Sequence, residues 1–288
     1  LYTVTGNYIE AIDKGYKSVA SFEALLSHEP NNYLNMTHNL LAKNALREPL
    51  TEVLRPGEAL ALLKDVELHL LESQRMDPPN KHIKTNLAIN YNAMGRVLSE
   101  NGDYANAIKA FQNAYALSQE MIKADVDNAE IVRSTGFTLE FMGDAYLANE
   151  KYAEAKIKYT EAISLYQKTD PGLINVAQIK INICRLYLKE KQNELLNQHQ
   201  KELLALENNS LQDTLNIRNI VFLSEFYANT ALALNLNRGS DTSLLKDPCY
   251  YYRRSLDFSD RLKLKKSLSP LRMKNRTKLI NALPSCAH

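Results

Sequence analysis

Apolar positions along most of this chain recur at steps of three and four residues, the spacing that lines one face of a helix. Leu87, Tyr91, Met94, Val97 and Leu98 form one such stripe and predict a helix over Thr85 to Glu100. Asn101-Gly102-Asp103 then interrupts the pattern. Gly102 tolerates positive φ, and Asp103 can cap the next helix. A second stripe, Tyr104, Ala107, Ile108, Phe111, Ala114 and Tyr115, predicts a helix from Tyr104 to about Lys123. The scheme repeats with Leu139, Met142, Gly143 and Tyr146, a turn at Asn149-Glu150-Lys151, and then Tyr152, Ala155, Tyr159, Ala162 and Ile163. Few stretches alternate with the period of two that marks strands, so the chain reads as all-α.

The stripes also recur as blocks, every 48 residues. Glu29-Pro30-Asn31-Asn32, Asp77-Pro78-Pro79-Asn80 and Asp125-Val126-Asp127-Asn128 share one phase, as do Ala11, Ala59, Ala107 and Ala155. A fixed period of this size filled with helical patterning is the signature of a solenoid. Gly6 to Glu29 reads as the second helix of a preceding unit. Asn35 to Arg47 and Pro56 to Met76 supply a further pair, with Glu48 to Pro56 expected as a loop insertion because Pro49 and Pro56 oppose a continuous helix. Downstream, Ala177 to Lys191 and Glu194 to Leu206 form a degenerate pair, and Ile217 to Leu236 with Pro248 to Leu264 a last one. This divides the chain into repeats over 1–210 and a terminal pair with a basic extension over 211–288.

The two best units resemble the tetratricopeptide repeat, whose signature is a large residue, Leu-Gly and Tyr in the first helix, then Ala, Phe and Ala in the second. Here it reads Tyr91, Met94-Gly95, Leu98, Ala107, Phe111, Ala114, and again Leu139, Met142-Gly143, Tyr146, Ala155, Tyr159, Ala162. The small residues stand where helices cross closely, so Ala107→Leu should cost about 1–3 kcal/mol by overpacking. The resemblance implies a right-handed superhelix of antiparallel helix pairs that serves protein–protein interaction without catalysis of its own. The long period with Asp-Pro-x-Asn linkers is similar to the helical-repeat regions of multidomain bacterial signalling proteins, such as serine/threonine kinases. It implies a scaffold within the regulatory part of a larger polypeptide, and the opening Leu1-Tyr2-Thr3-Val4, without an initiator Met, fits a chain that begins inside one.

In that architecture the first helices line the concave face. The partner-facing positions are then Asn92, Arg96 and Ser99, next Glu140, Asp144 and Leu147, and next Gln178, Ile181 and Arg185. Their amides and charges suit an extended peptide. Glu140 and Asp144 stand where some relatives clamp a carboxylate tail and would repel one.

Composition narrows the alternatives. The 35 basic and 33 acidic residues leave a charge of +2, so the chain as a whole is no polyelectrolyte and does not call for a nucleic-acid partner. The runner-up is binding of nucleic acid or an anionic surface through the basic stretch Arg253 to Lys278, which is also readable as a solvated final helix. Tyr250-Tyr251-Tyr252 could stack bases, but Tyr251 shares the phase of Ala155 and reads as core. No apolar run reaches the roughly 18–20 residues that span a bilayer.

Dinucleotide, P-loop, zincin and nucleophile-elbow motifs are absent, and His28, His38, His69, His82, His199 and His288 are scattered. No cofactor, catalytic residue or metal site is expected. Cys184, Cys249 and Cys286 are odd in number, widely spaced and without a CxxC pair, which argues against a disulfide framework and for a reducing, cytoplasmic setting. Cys184 in particular reads as a small buried thiol.

Overall fold

The computed structural model describes residues 7–29, 32–169, 179, 182, 183, 186, 187, 190, 217–236, 247–264 and 268–286. All regular structure among them is helical. The chain divides into two compact units, one containing residues 7–169 and the other residues 170–288. The boundary near 210 expected from sequence lies outside the described residues, as does most of the pair expected over 177–206. Within that pair Ile179, Asn182, Ile183, Leu186 and Tyr187 are buried, at the spacing of one helix face.

In the first unit α1 (Tyr8–His28) falls at the phase of the second helix α6. A broken pair comes next, α2 (Tyr33–Ala45) and α3 (Arg47–Glu52) against α4 (Pro56–Met76). Two regular pairs complete the unit: α5 (Lys81–Glu100) with α6 (Tyr104–Ala124), and α7 (Ala129–Ala148) with α8 (Tyr152–Thr169).

The 48-residue period is a period of capping chemistry. Asn32, Asn80 and Asn128 are N-caps whose side-chain oxygens accept from Asn35 N (3.1 Å), Ile83 N (3.3 Å) and Ile131 N (3.2 Å). Their amide nitrogens donate to Glu29, Asp77 and Asp125, the acidic residues that open each linker, at 2.7, 2.8 and 3.1 Å. At the far end of each first helix a left-handed residue turns the chain: Leu54 (φ 62°), Gly102 (φ 85°) and Glu150 (φ 59°). The next amide then reaches back five residues, from Arg55 to Leu50 O, Asp103 to Leu98 O and Lys151 to Tyr146 O, at 2.8–2.9 Å.

That register corrects the expected loop insertion over Glu48 to Pro56. Arg47–Glu52 is helical, and Pro49, Leu50, Thr51 and Glu52 are buried. The segment from Tyr33 to Leu54 thus occupies the same span as Lys81 to Gly102, but is broken at Leu46. Pro49 offers no N–H to the carbonyl of Ala45, and its ring crowds that oxygen. The proline breaks the helix without lengthening the repeat.

The signature positions Gly95, Ala107, Phe111, Ala114, Gly143, Ala155, Tyr159 and Ala162 are all buried. The reason is steric. A Cβ on Gly95 would lie 2.5 Å from the Phe111 ring, and one on Gly143 would lie 2.6 Å from the Tyr159 ring. On α5 and α7 the first helix has a hole into which the second helix of its own pair sets an aromatic knob.

The second unit contains α9 (Ile217–Leu236), α10 (Pro248–Leu264), α11 (Pro270–Ala282) and a 3-10 turn, Pro284–Cys286. Ser269 caps α11 by accepting from Arg272 N at 3.2 Å. A new helix therefore starts at Ser269-Pro270, and the basic stretch is not one continuous helix.

A disulfide joins Cys249 to Cys286, with Cα atoms 4.9 Å apart. This corrects the expectation of unpaired thiols, and it removes the cysteine argument for a reducing compartment. Spacing rules look for cysteines close in sequence, whereas α11 returns the chain over 37 residues to bring this pair together. Cys184 lies outside the described residues.

Candidate functional site

Contacts between alternate helices show which side of the first unit is concave. First helices touch directly, α3 with α5 and α5 with α7, whereas α4 with α6 and α6 with α8 touch less or not at all among the described residues. First helices are therefore crowded on the inside of the curve, and their outward side chains line an inner face.

On α5 the inner-face residues stand one helical turn apart. Asn92 donates its amide to Thr138 Oγ1 at 2.9 Å and so is half-committed to holding α5 against α7. The guanidinium of Arg96 lies over the Phe141 ring, 4.9 Å from its centroid. The Ser99 hydroxyl is buried and makes no hydrogen bond.

On α7 the two acids are less available than their positions suggest. Glu140 is only 6% exposed and accepts from the Tyr166 hydroxyl at 2.8 Å. Burial, reinforced by the neighbouring Asp144 charge, pushes its carboxyl up to about 8, with Tyr166 and Arg96 acting in the opposite sense. Asp144 accepts from the Tyr159 hydroxyl at 2.6 Å. Leu147 is half-buried beside them. Gln178, Ile181 and Arg185 lie outside the described residues.

Several residues belong to this face that the motif positions do not include. Arg47 is half-buried, and its guanidinium is pulled down to about 10 by burial and then by Arg96. Glu48, Glu52 and Glu100 oppose that shift. Glu100 reaches solvent, yet loss of hydration against the surrounding groove raises its carboxyl, as do Glu52 and Glu48, while Arg96 and Arg47 lower it. The 48-residue ruler carries the missing signal: Glu48, Arg96 and Asp144 share one phase, and Glu52 shares the phase of Glu100. Pro49 and Pro56 mask that row in the sequence. Phe137 and Phe141, stacked with centroids 6.5 Å apart and both half-buried, add an aromatic wall from α7.

Toward the N-terminal ends of α5 and α7 the helices part over a cleft of about 500 Å³. Ala88, Ile89, Met121 and Ile131 form its apolar lining, with Lys81 and Glu130 among its charged residues. Ile89 is 46% exposed there.

Three arginines of the basic stretch of the second unit are engaged in internal contacts. Arg254 stacks on Tyr227 and Phe258, Arg261 lies over Phe258 at 4.8 Å and pairs with Asp257 at 3.1 Å, and Arg276 pairs with Asp260 at 3.0 Å. Tyr251 and Tyr252 are buried and present no ring face for a base. Among the described residues no group of three His, Cys, Asp or Glu side chains could hold a metal ion, and no helix is long and apolar enough to cross a membrane.

Residues 88–121, spanning the α5–α6 pair, match the tetratricopeptide repeat model. Among solved structures the chain resembles BtubC (BKLC) from P. vanneervenii, with a TM-score of 0.56 and 14% identity over 96% of this chain and 91% of that one. At that identity the likeness shows the fold, an all-α helical repeat of tetratricopeptide type. No curated protein matches the sequence.

Proposed function

We propose that this chain is a non-catalytic interaction module whose first unit binds a peptide or protein partner along its inner face. A tetratricopeptide-type repeat is in general a protein-interaction fold without catalysis, and that much rests on the match over 88–121. The observation that carries the finer reading is the state of Arg47 and Arg96. Two guanidiniums near enough to repel each other stand on the inner face, and among the described residues neither makes a hydrogen bond or ion pair. The Phe141 ring accounts for the place of Arg96; a surface built to meet another molecule would account for Arg47 and for what Arg96 still shows. The cleft of about 500 Å³ toward the other ends of α5 and α7, lined also by Ser118 and Met121 of α6, offers such a partner a second place to bind.

The setting suggested by the repeat length, the regulatory portion of a larger bacterial signalling protein, is part of the proposal. Its sign would be an upstream activity that changes when a partner occupies the repeats.

The test uses the full chain as bait in lysate of its own organism. An inner-face variant, Asn92→Ala with Arg96→Ala, is compared with an outer-face variant, Lys109→Ala with Gln119→Ala, after circular dichroism shows that both fold. Loss of a captured protein by the inner-face variant alone is the expected result. Retention by both sinks the inner-face reading and turns attention to the exposed basic residues Arg253, Lys274 and Lys278. Binding there would weaken steeply with salt.

A further inference from the structure

Leu70, Ser118 and Tyr166 stand one period apart on α4, α6 and α8, and Leu40, Ala88 and Gly136 stand one period apart on α2, α5 and α7. In two of these three repeats the chain fills the space at that phase by itself. Leu70 is buried with Val66, Ile83 and Leu87, and Leu40 packs against that cluster. Tyr166 is buried over Gly136, where an added Cβ would lie 2.7 Å from its ring, and its hydroxyl donates to Glu140 at 2.8 Å. The earlier repeat meets a leucine with a leucine, and the later one meets a ring with a glycine.

In the repeat between them both positions are small. Ala88 and Ser118 line the cleft of about 500 Å³ between α5, α6 and α7. Ile131, the counterpart of the buried Ile83, is only half-buried beside it. The cleft is therefore not a feature of the architecture. It exists because this repeat alone lacks the side chain that closes the other two.

Two polar groups are left unanswered by that gap. Ser118 is 2% exposed, lines the cleft and makes no hydrogen bond among the described residues. Asn92, one turn beyond Ala88 on α5, is the counterpart of Glu140, the residue that accepts from Tyr166. Its Nδ2 donates to Thr138, but its Oδ1 is buried without a donor. A buried acceptor left unpaired is unfavourable, and a hydroxyl arriving as Tyr166 does would pair it.

We propose that the cleft receives a tyrosine side chain of the protein partner, with its ring over Ala88 and its hydroxyl donating to Asn92 Oδ1. Tyrosine combines a large apolar ring with a polar tip that needs a partner once buried. A leucine would leave Asn92 Oδ1 and Ser118 unpaired, and a carboxylate would set a second acceptor against Asn92 Oδ1. Ala88 carries a Cβ where Gly136 has none, so the guest ring sits further out than Tyr166 does; a ring not tethered to α6 can do so. The proposal rests on the reading of the first unit as an interaction module and names one anchor of its partner.

Two plugged variants copy the neighbouring repeats. Ala88→Gly/Ser118→Tyr reproduces the pair Gly136 and Tyr166, and Ala88→Leu/Ser118→Leu reproduces Leu40 and Leu70. Thermal melts show which of them folds. A random peptide library displayed on phage is panned against the full chain at physiological salt, and tyrosine should be enriched relative to the unselected library. Enriched peptides, resynthesised with a fluorophore, should weaken about tenfold or more when the cleft is plugged or their tyrosine becomes alanine. Replacing that tyrosine by phenylalanine should weaken them about threefold to tenfold, the scale of one hydrogen bond. In Asn92→Ala the difference between the two peptides should vanish, a coupling that a general loosening of α5 would not produce.

Peptides selected without tyrosine overturn the proposal, as does full affinity for a plugged variant that folds. Equal binding of the tyrosine and phenylalanine peptides overturns it too, as does a difference that persists in Asn92→Ala. The two readings fail differently. Peptides that ignore the plugs but lose affinity for Asn92→Ala/Arg96→Ala overturn the tyrosine anchor and leave the inner face standing. Peptides indifferent to the plugs and to that double variant, or no enrichment at all, overturn both.

Discussion

Where α5 meets α6, Gly95 lies under the ring of Phe111, and the same arrangement returns one period later with Gly143 under Tyr159. Where α9 meets α10, serine hydroxyls do part of that work. Ser224 Oγ bonds Ser259 Oγ at 2.8 Å, and Ser255 Oγ donates to the carbonyl of Ser224 at 2.8 Å. Beside the serines, Tyr227, Tyr251 and Phe258 pack ring to ring with Arg254 stacked on them, and the Cys249–Cys286 bond ties the start of α10 to the end of the chain. The first unit is held by shape and the second by polar contacts and a covalent tie. Shape recurs as a pattern of small and large residues, so the first unit announces itself in the sequence.

The largest effect should come from removing a knob. Phe111→Ala is expected to cost about 3–5 kcal/mol in urea unfolding. Gly95→Ala, which fills the hole instead, should cost about 1–3 kcal/mol despite its better helix propensity. Combining Gly95→Ala with Phe111→Leu should cost less than the two single changes added together. Strict additivity would show that hole and knob do not act on each other.

Covalent reliance is the matching test for the second unit. Reduction, or Cys249→Ser, is expected to cost about 2–4 kcal/mol. Hydrogen exchange should place the loss in α10 and α11 while α5–α8 keep their protection. A reductant that leaves the exchange of α11 unchanged would put the whole stability of that end in its serines and rings.

A pH scan sharpens the contrast from the other side. The folded-state pKa of Glu140 is raised to about 8 from an ordinary 4.5, so the native state binds a proton that the unfolded state has released. The first unit should therefore lose stability as pH rises between those values, at about 1.4 kcal/mol per unit at most. Glu140→Gln keeps an acceptor for Tyr166 and should flatten the slope. An unchanged slope would mean the carboxyl is ionised in place.

The smallest effect concerns the turns. Leu54 and Glu150 hold the left-handed conformation that Gly102 adopts freely one period away from each. Leu54→Gly and Glu150→Gly should each stabilise by about 1 kcal/mol or less, while Gly102→Ala should destabilise by a similar amount. Thermal melts of the three variants decide it.

Legibility divides along the same contrast between shape and contact. Helix ends at Asn80, Gly102 and Asn128 were legible because capping and turning need particular residue types at fixed phase. The buried role of Tyr251 was legible because it falls on the ruler of Ala155. The helix at Arg47–Glu52 was not, because Pro49 outweighs neighbours that are helical once packed against α4. Glu140 looked like a groove residue because position alone does not reveal that the Tyr166 hydroxyl reaches it from α8. The disulfide depended on a fold-back of α11 that no local spacing announces.

Gly95 and Arg96 are neighbours in sequence and divide one repeat between two tasks: the first sets how closely the helices approach, the second sets the charge shown on the inner face. One period earlier those positions hold Arg47 and Glu48, and one period later Gly143 and Asp144. At Arg96 the second of the two takes no part in filling the hole between the helices, so its charge can change without altering how they fit; Asp144, which holds the Tyr159 hydroxyl, is the exception. A lineage carrying this repeat could therefore exchange partners by single substitutions while its scaffold stayed as it is.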